Sequence, residues 1–213
     1  MASRQFDADR AIVTLPLGVL QSGSVEFYPE PGDILQLARS ARMGQVRRLD
    51  LLFRERFWTQ QRSSGSQIQL DDLSFLFAFD EVPSAWWTQF PSCNGRITGW
   101  VGGPRSNALA EMTVAEVGKR ACSALGRVFH LPVNEIETLL NCCYSHNWQR
   151  DPLSMGAYSY LPAGSVSVPN QMCDPIKETL YFAGEHTDTT GHWGTVHAAL
   201  RSGLRAAAQI LQS

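Results

Sequence analysis

The stretch LYFAGEHTDTTGHWGTVHAALRSGLRAAA, Leu180 to Ala208, constrains this chain more than any other. It opens on an apolar run, Leu180, Tyr181, Phe182 and Ala183, that reads as a short buried strand and breaks at Gly184. A loop of Thr, Asp, Gly and His leads into a helix. Along it Val196, Leu200, Gly203, Leu204, Ala207 and Leu211 recur every three to four residues, while Arg201 and Arg205 fall off the stripe. A strand, a glycine turn and a helix start form a corner that favours an anion or dipole, because the first N–H groups of a helix have no partner within it. A flat or negative group at the helix mouth is therefore expected. Taken bare, the pattern is equally that of an ordinary strand, loop and helix in an α/β core.

With 213 residues, 44% of them hydrophobic, the chain can bury a core for one large or two small domains. Its 18 basic and 20 acidic side chains give a formal charge of −2, which argues against nucleic acid or an anionic membrane as partner. Arg39, Arg42, Arg47, Arg48, Arg54 and Arg56 cluster locally, but Asp50, Glu55 and alternating apolar residues among them read as a solvated strand face. No apolar run reaches the length of a membrane span, and the start MASRQFDADR lacks the apolar core of a secretory signal, so a cytoplasmic location is expected. Five cysteines without paired spacing predict reduced thiols. His186, His192 and His197 match no zinc spacing, and no metal site is expected.

In chain order, Ala11 to Leu15 predicts a strand ended by Pro16 and Gly18. Asp33 is placed to cap a helix over Ile34 to Met43, closed by Gly44. Gln45 to Phe53 predicts a long strand with Trp58 just beyond it, and the polar stretch Gln60 to Asp72 predicts a loop or exposed hairpin. Ser74 to Phe79, Ala85 to Phe90 and Arg96 to Val101 suit an antiparallel meander. There Phe75, Phe77 and Phe79 alternate with Leu76 and Ala78 as in a strand covered on both faces, and Trp86 and Trp87 read as core or sheet packing. Thr113 caps a helix carrying Val114, Val117, Ala121, Leu125 and Val128 on one face, with its exit near Gly126 and Pro132. Glu135 to Cys143 fits helix or strand equally, and Asp151 to Gly164 is turn-rich. No repeat and no compositional linker divides the chain.

Several of these segments together resemble one family. AIVTLPLGVL at 11–20, the strand leading to Phe57 and Trp58, Trp148 with Asp151-Pro152, GAYSY at 156–160, and FAGEHT followed by TVHAALRSG occur in the order found in the flavin-containing amine oxidases. That superfamily includes monoamine oxidases, polyamine oxidases and lysine-specific histone demethylases. The resemblance runs over essentially the whole chain but covers only the C-terminal half of such an enzyme. The family's GxGxxG fingerprint, which cradles the pyrophosphate of FAD at a βαβ turn, has no counterpart in these 213 residues.

The resemblance implies an α+β fold of α/β descent. A mixed, mainly antiparallel substrate-domain sheet with flanking helices would be joined to the C-terminal strand and helix of an FAD-binding domain. It divides the chain into an FAD-domain strand and connection at 1–33, a substrate-binding domain at 34–150 and a C-terminal FAD-binding segment at 151–213. Pro16, Trp148, Tyr158, Gly184, Glu185, Thr195 and Val196 take cofactor-binding positions. Among them Glu185 would approach the ribityl or pyrophosphate region, Thr195 and Val196 the N1 side of the flavin, and Trp148 the isoalloxazine. Tyr158 and Thr195 would face the amine, and Arg48 stands where the family lysine holds a water at flavin N5, the one candidate for a catalytic side chain. Ala157 replaces the cysteine that links monoamine oxidases to their flavin, so FAD would be noncovalent, and Thr195 replaces a second tyrosine of the aromatic cage.

The implied function is oxidation of a small-molecule amine C–N bond to an imine by hydride transfer to flavin N5, with oxygen as acceptor. The other reading is an incomplete, noncatalytic half that needs a partner chain bearing the dinucleotide-binding domain, or that pairs with itself. Retention of FAD by the isolated chain stays open. On that second reading, the strands Ala11 to Leu15 and Leu180 to Ala183 would leave apolar surface uncovered.

Overall fold

A computed structural model describes residues 4–60 and 70–212. In chain order its strands and helices are β1 (Ala11–Val13), α1 (Leu17–Ser22), α2 (Gly32–Ser40), β2 (Arg42–Met43), β3 (Val46–Phe53), β4 (Phe75–Phe77), β5 (Ala85–Thr88) and β6 (Arg96–Gly102). Then follow α3 (Val114–Phe129), α4 (Val133–Leu139), β7 (Leu140–Ser145), β8 (Ser159–Tyr160), α5 (Val168–Gln171), β9 (Leu180–Phe182) and α6 (Val196–Gln212). The architecture is α+β. Most of the stretch expected to loop from Gln60 to Asp72 lies outside the described residues, and Leu70–Asp72 form a 3-10 turn. Two compact units emerge, one built from the residues up to Gly44 together with those from Gln149 onward, the other from Gln45–Trp148. Residues 34–44 thus fall with the terminal segments.

In the first unit β1 and β9 run parallel, Ala11 beside Leu180 and Val13 beside Phe182, and β2 pairs antiparallel with β8. Leu17, Leu20, Ile34, Ala38, Met172 and Phe182 pack one core, and Tyr181, Ala183 and Ala206 a second beneath α6. Helix α2 begins at Gly32 rather than after a capping Asp33, and it ends at Ser40 because Arg42 and Met43 are drawn into pairing with Tyr160 and Ser159. Gly44 therefore closes no helix. A Cβ there would lie 2.6 Å from the carbonyl oxygen of Tyr158, so glycine is required for close approach.

The apolar stripe of α6 faces outward. Val196, Leu200, Leu204 and Leu211 are 79%, 65%, 72% and 87% exposed, while Ala198, Ser202 and Ala206 face the fold. Small side chains let α6 lie close on β9 and the turn at Glu185–Thr187. The expectation that β9 is left uncovered is corrected, since Tyr181, Phe182 and Ala183 are buried, and the apolar surface sits on the helix instead.

The second unit is a five-stranded sheet in the order β4-β5-β6-β3-β7 with every neighbouring pair antiparallel. Period-two alternation puts Leu49, Leu51 and Phe53 of β3 inward with Ile97 and Val101 of β6, where Val117, Ala121 and Leu125 of α3 cover them. Gly99 admits the buried Trp86, whose Cζ3 would be 2.7 Å from a Cβ at that position. Thr113 caps α3 in a reciprocal box with Glu116, whose N–H donates to the Thr113 hydroxyl at 3.3 Å and whose carboxylate accepts from the Thr113 N–H at 2.8 Å.

Helix α3 ends at Phe129 with His130 in the left-handed region (φ 53°), inside the exit expected near Gly126 and Pro132. Two expectations are revised here. Phe75, Phe77 and Phe79 are exposed, since β4 is the sheet edge and one of its faces has no cover among the described residues. Arg47 is 4% exposed, not solvated: it shares the inward face of β3, donates to Ser145 Oγ at 2.9 Å, and leaves Nη1 without a partner among the described residues. Glu135 to Cys143 realises both readings, ending α4 and starting β7. Among the described residues no helix is long and apolar enough to cross a membrane.

Candidate functional site

The corner after β9 is built by hydrogen bonds from distant segments. Ala183 N–H donates to Val13 at 3.0 Å, which carries the β1–β9 pairing to its end, and Gly184, at φ 145°, turns its N–H to the Ser202 hydroxyl on α6 at 2.9 Å. A side chain at Gly184 would strike the His186 ring, 2.6 Å away. The Glu185 carboxylate accepts from Ser159 N–H at 3.0 Å, from the Ser159 hydroxyl and from Gly194 N–H at 2.6 Å. A carboxylate has about four acceptor positions. With three taken, Glu185 works first as a clamp joining β8 to the loop before α6.

Gly194 holds φ 74°, and a Cβ there would come within 2.7 Å of Tyr158 Cδ2, so the Tyr158 ring lies against this loop. Gly194→Ala is expected to displace that ring and to lower stability by about 1–2 kcal/mol. The urea midpoint and the Tyr158 ring resonances report the two effects, and unchanged ring resonances would refute the contact. The Thr195 hydroxyl donates to His192 O at 2.6 Å and accepts from Ala198 N–H at 3.3 Å, capping α6. The N–H groups of Val196 and His197 have no partner among the described residues and point the positive end of a 17-residue helix outward.

Pro16, Tyr158, Gly184 and Glu185 line one cavity of about 320 Å³, together with Ala157 and His186. Thr195 and Val196 stand at the helix start outside that lining. His186 is buried, and its Nε2 has no partner among the described residues. Burial, with help from Arg205 and against Glu185, pushes its pKa down to about 4, so the ring is neutral near pH 7. Sequence reasoning missed Ser159, Gly194 and Asp188. Asp188 accepts from Thr190 and His192 N–H groups at 3.2 and 3.1 Å; an aspartate bonding backbone two and four residues on is a turn signal that could have flagged it.

Arg48 and Trp148 belong to the other unit. They line a hollow of about 420 Å³ with Asp50, Tyr144 and His146. Trp148 meets the His146 ring edge-on at 4.4 Å, and the Arg48 guanidinium lies 5.8 Å from the Trp87 ring centre. Arg48 also pairs with Asp50, Nε to carboxylate oxygen 3.2 Å. The candidate residues thus form two sets, one in each unit. Among the described residues no three His, Cys, Asp or Glu side chains are grouped to hold a metal ion.

A strand-turn-helix corner with an outward-pointing dipole, beside an apolar cavity holding a buried polar orphan, suits one end of a flat heteroaromatic ligand. The chain matches the flavin containing amine oxidoreductase family over residues 2–211 and belongs to it. It is 28% identical, over 99% of its length, to Lysine-specific histone demethylase 1 homolog 1 of Arabidopsis thaliana, of which it covers 24%. It is 27% identical to a flavin-containing amine oxidase of Danio rerio, with 97% of this chain and 38% of that protein aligned. Its fold is shared with putrescine oxidase, solved with putrescine bound, at a TM-score of 0.74 and 20% identity, covering 97% of this chain and 43% of the other. The chain therefore spans about a quarter of the length of the plant demethylase relatives.

Proposed function

We propose that this chain supplies the flavin-ring end and the amine-facing groups of an FAD-dependent amine oxidase. The observation that carries the reading is the corner itself, where an apolar cavity, the unpaired His186 Nε2 and the start of α6 belong to one unit. These residues fit the ring end of FAD, and Ala157 offers no thiol, so the cofactor would be noncovalent. When bound, FAD supplies hydride acceptance at N5, converting an amine C–N bond to an imine, and reoxidation by oxygen with release of hydrogen peroxide.

The protein's own contributions follow from the geometry. The N–H groups of Val196 and His197 and the α6 dipole favour negative charge at the ring's N1 side. Neutral His186 can donate one hydrogen bond from Nε2 without adding charge. Tyr158, half exposed and backed by Gly194, provides an aromatic wall for an amine. Arg48, permanently charged, replaces the family lysine as the cation that orders a water or substrate group. The amine must be neutral when it gives up hydride, so turnover rises with pH.

A second reading is favoured by the outward apolar face of α6. In it the chain is inert until a segment or partner chain carrying the dinucleotide-binding domain covers that face. Gel filtration at low micromolar concentration is then expected to show association, which Leu200→Glu with Leu204→Glu abolishes; a clean monomer would count against it. The activity is tested by reconstituting the chain with FAD, alone and with the dinucleotide-binding half of a relative, and adding a primary amine without oxygen. Bleaching of the oxidised flavin band, restored by air, supports the enzyme. A preparation that stays colourless in both mixtures sinks it.

A further inference from the structure

The outward face of the second unit's sheet carries a row of register neighbours. Phe75, Trp87, Thr98, Asp50 and Tyr144 lie side by side across β4, β5, β6, β3 and β7. Arg48 and Arg96 flank Asp50. Its carboxylate accepts from the Thr98 hydroxyl at 2.6 Å, from Arg96 Nε and Nη2 at 3.2 and 2.8 Å, and from Arg48 Nη2 at 3.3 Å, with Arg48 Nε 3.2 Å from the other oxygen. Burial alone would raise the Asp50 pKa, but these donors outweigh it and hold the group ionised. Four of the five contacts fall on one carboxylate oxygen and Arg48 Nε faces the other, so two guanidinium cations hold the single Asp50 charge between them.

Each guanidinium has five N–H donors and spends two of them on Asp50, leaving about three each. Arg48 and Arg96 remain half and two-fifths exposed, with side-chain values of 50% and 39%. They open on two adjoining hollows of about 420 and 350 Å³ that share Asp50 and Tyr144, Arg48 lining the first and Arg96 the second. The cluster has one surplus positive charge and unspent guanidinium donors, beside the exposed Phe75 and the half-buried Trp87, whose ring centres are 6.1 Å apart.

We infer that this face selects, within the proposed amine oxidation, an amine whose far end is a carboxylate or comparable anion next to an apolar or aromatic body, and that it rejects polyamines. An anion gains charge-assisted hydrogen bonds from both arginines, whereas a second ammonium meets like charge and finds its natural partner already occupied. Asp50, an acid that would suit a diamine if free, is instead the residue that orients both arginines.

The test uses the 213-residue chain and simple probes, phenylacetate, 2-phenylethylamine and putrescine, followed by the Nε–H NMR signals of Arg48 and Arg96. Phenylacetate is expected to shift both signals, with affinity falling as salt rises, while the two amines leave them in place. Arg96→Gln should weaken phenylacetate about tenfold, the scale of one charge-assisted hydrogen bond. Arg96→Lys, which keeps the charge and perturbs the fold least, should lose less. Phenylethylamine or putrescine binding as tightly as phenylacetate, or arginine signals that ignore the anion, overturns the inference. None of these readouts requires flavin, so a chain that never reduces a flavin with any amine would refute the oxidase reading while leaving anion selection to stand or fall alone.

Discussion

Asp188→Ala is expected to lower the stability of the first unit by about 3 kcal/mol and to release the loop between Asp188 and Thr195. Asp188 is 2% exposed and accepts from Arg201 Nε and Nη2 at 3.1 and 3.2 Å, from the Thr190 hydroxyl at 2.7 Å and from two backbone N–H groups. Burial pulls its pKa upward, but Arg201, Thr190 and His192 outweigh burial and hold the carboxyl well below the usual range. Alanine would strand all these donors. Arg201 is 40% exposed and can rehydrate, which keeps the cost at the lower end of that for breaking a buried pair. Asp188→Asn, retaining an acceptor, should lose about half as much. Urea midpoints for the three proteins decide this, and an alanine variant as stable as wild type would show that the network contributes nothing.

Acid sensitivity well above the carboxylate range is the second large effect. His186 has its pKa pushed to about 4, whereas in the unfolded chain it titrates near 6.5. Between those values the unfolded state holds more protons than the folded one, so stability rises with pH across the window and is lost as pH falls through it. The full loss is about 3 kcal/mol once both states are protonated. Asp188 adds to it only below about pH 3.8, the contribution of a depressed carboxylate being present above its unfolded pKa and lost beneath it. Thermal melts at pH 7 and pH 4.5 should therefore differ markedly for wild type and much less for His186→Asn. A flat wild-type profile would rule out a neutral buried ring.

What was legible in the sequence was what local chemistry controls. The Thr113 cap, the alternation of β3, the short β9 and the position of α6 follow from propensities and spacing that act within a few residues. What misled was burial, which depends on neighbours that spacing does not name. The stripe on α6 has the period of a core face but faces out, because Ala198, Ser202 and Ala206 form the surface that fits closest to the strands. Arg47 and Arg48 look alike in sequence, yet alternation sends one inward and the other out.

The site divides in the same way. Tyr158, Gly184 and Glu185 line one cavity. Glu185, however, meets Ser159, 26 residues away, and Gly194, nine residues away, and no local pattern announces either contact. Gly194 and Gly44 are glycines because Tyr158 and its backbone press on them, a requirement visible only once the segments are packed.

The central proposal is that this chain holds the ring end of a flavin and carries no GxGxxG cradle for its pyrophosphate. Titrating the chain with FAD and with riboflavin, following quenching of flavin fluorescence, tests it most directly. Both flavins should bind, with Kd values within about threefold of each other, since riboflavin lacks only the parts that have no cradle here. FAD binding more than about tenfold tighter than riboflavin would reveal a nucleotide site that these residues do not provide, and failure of both flavins to bind would remove the ring site itself.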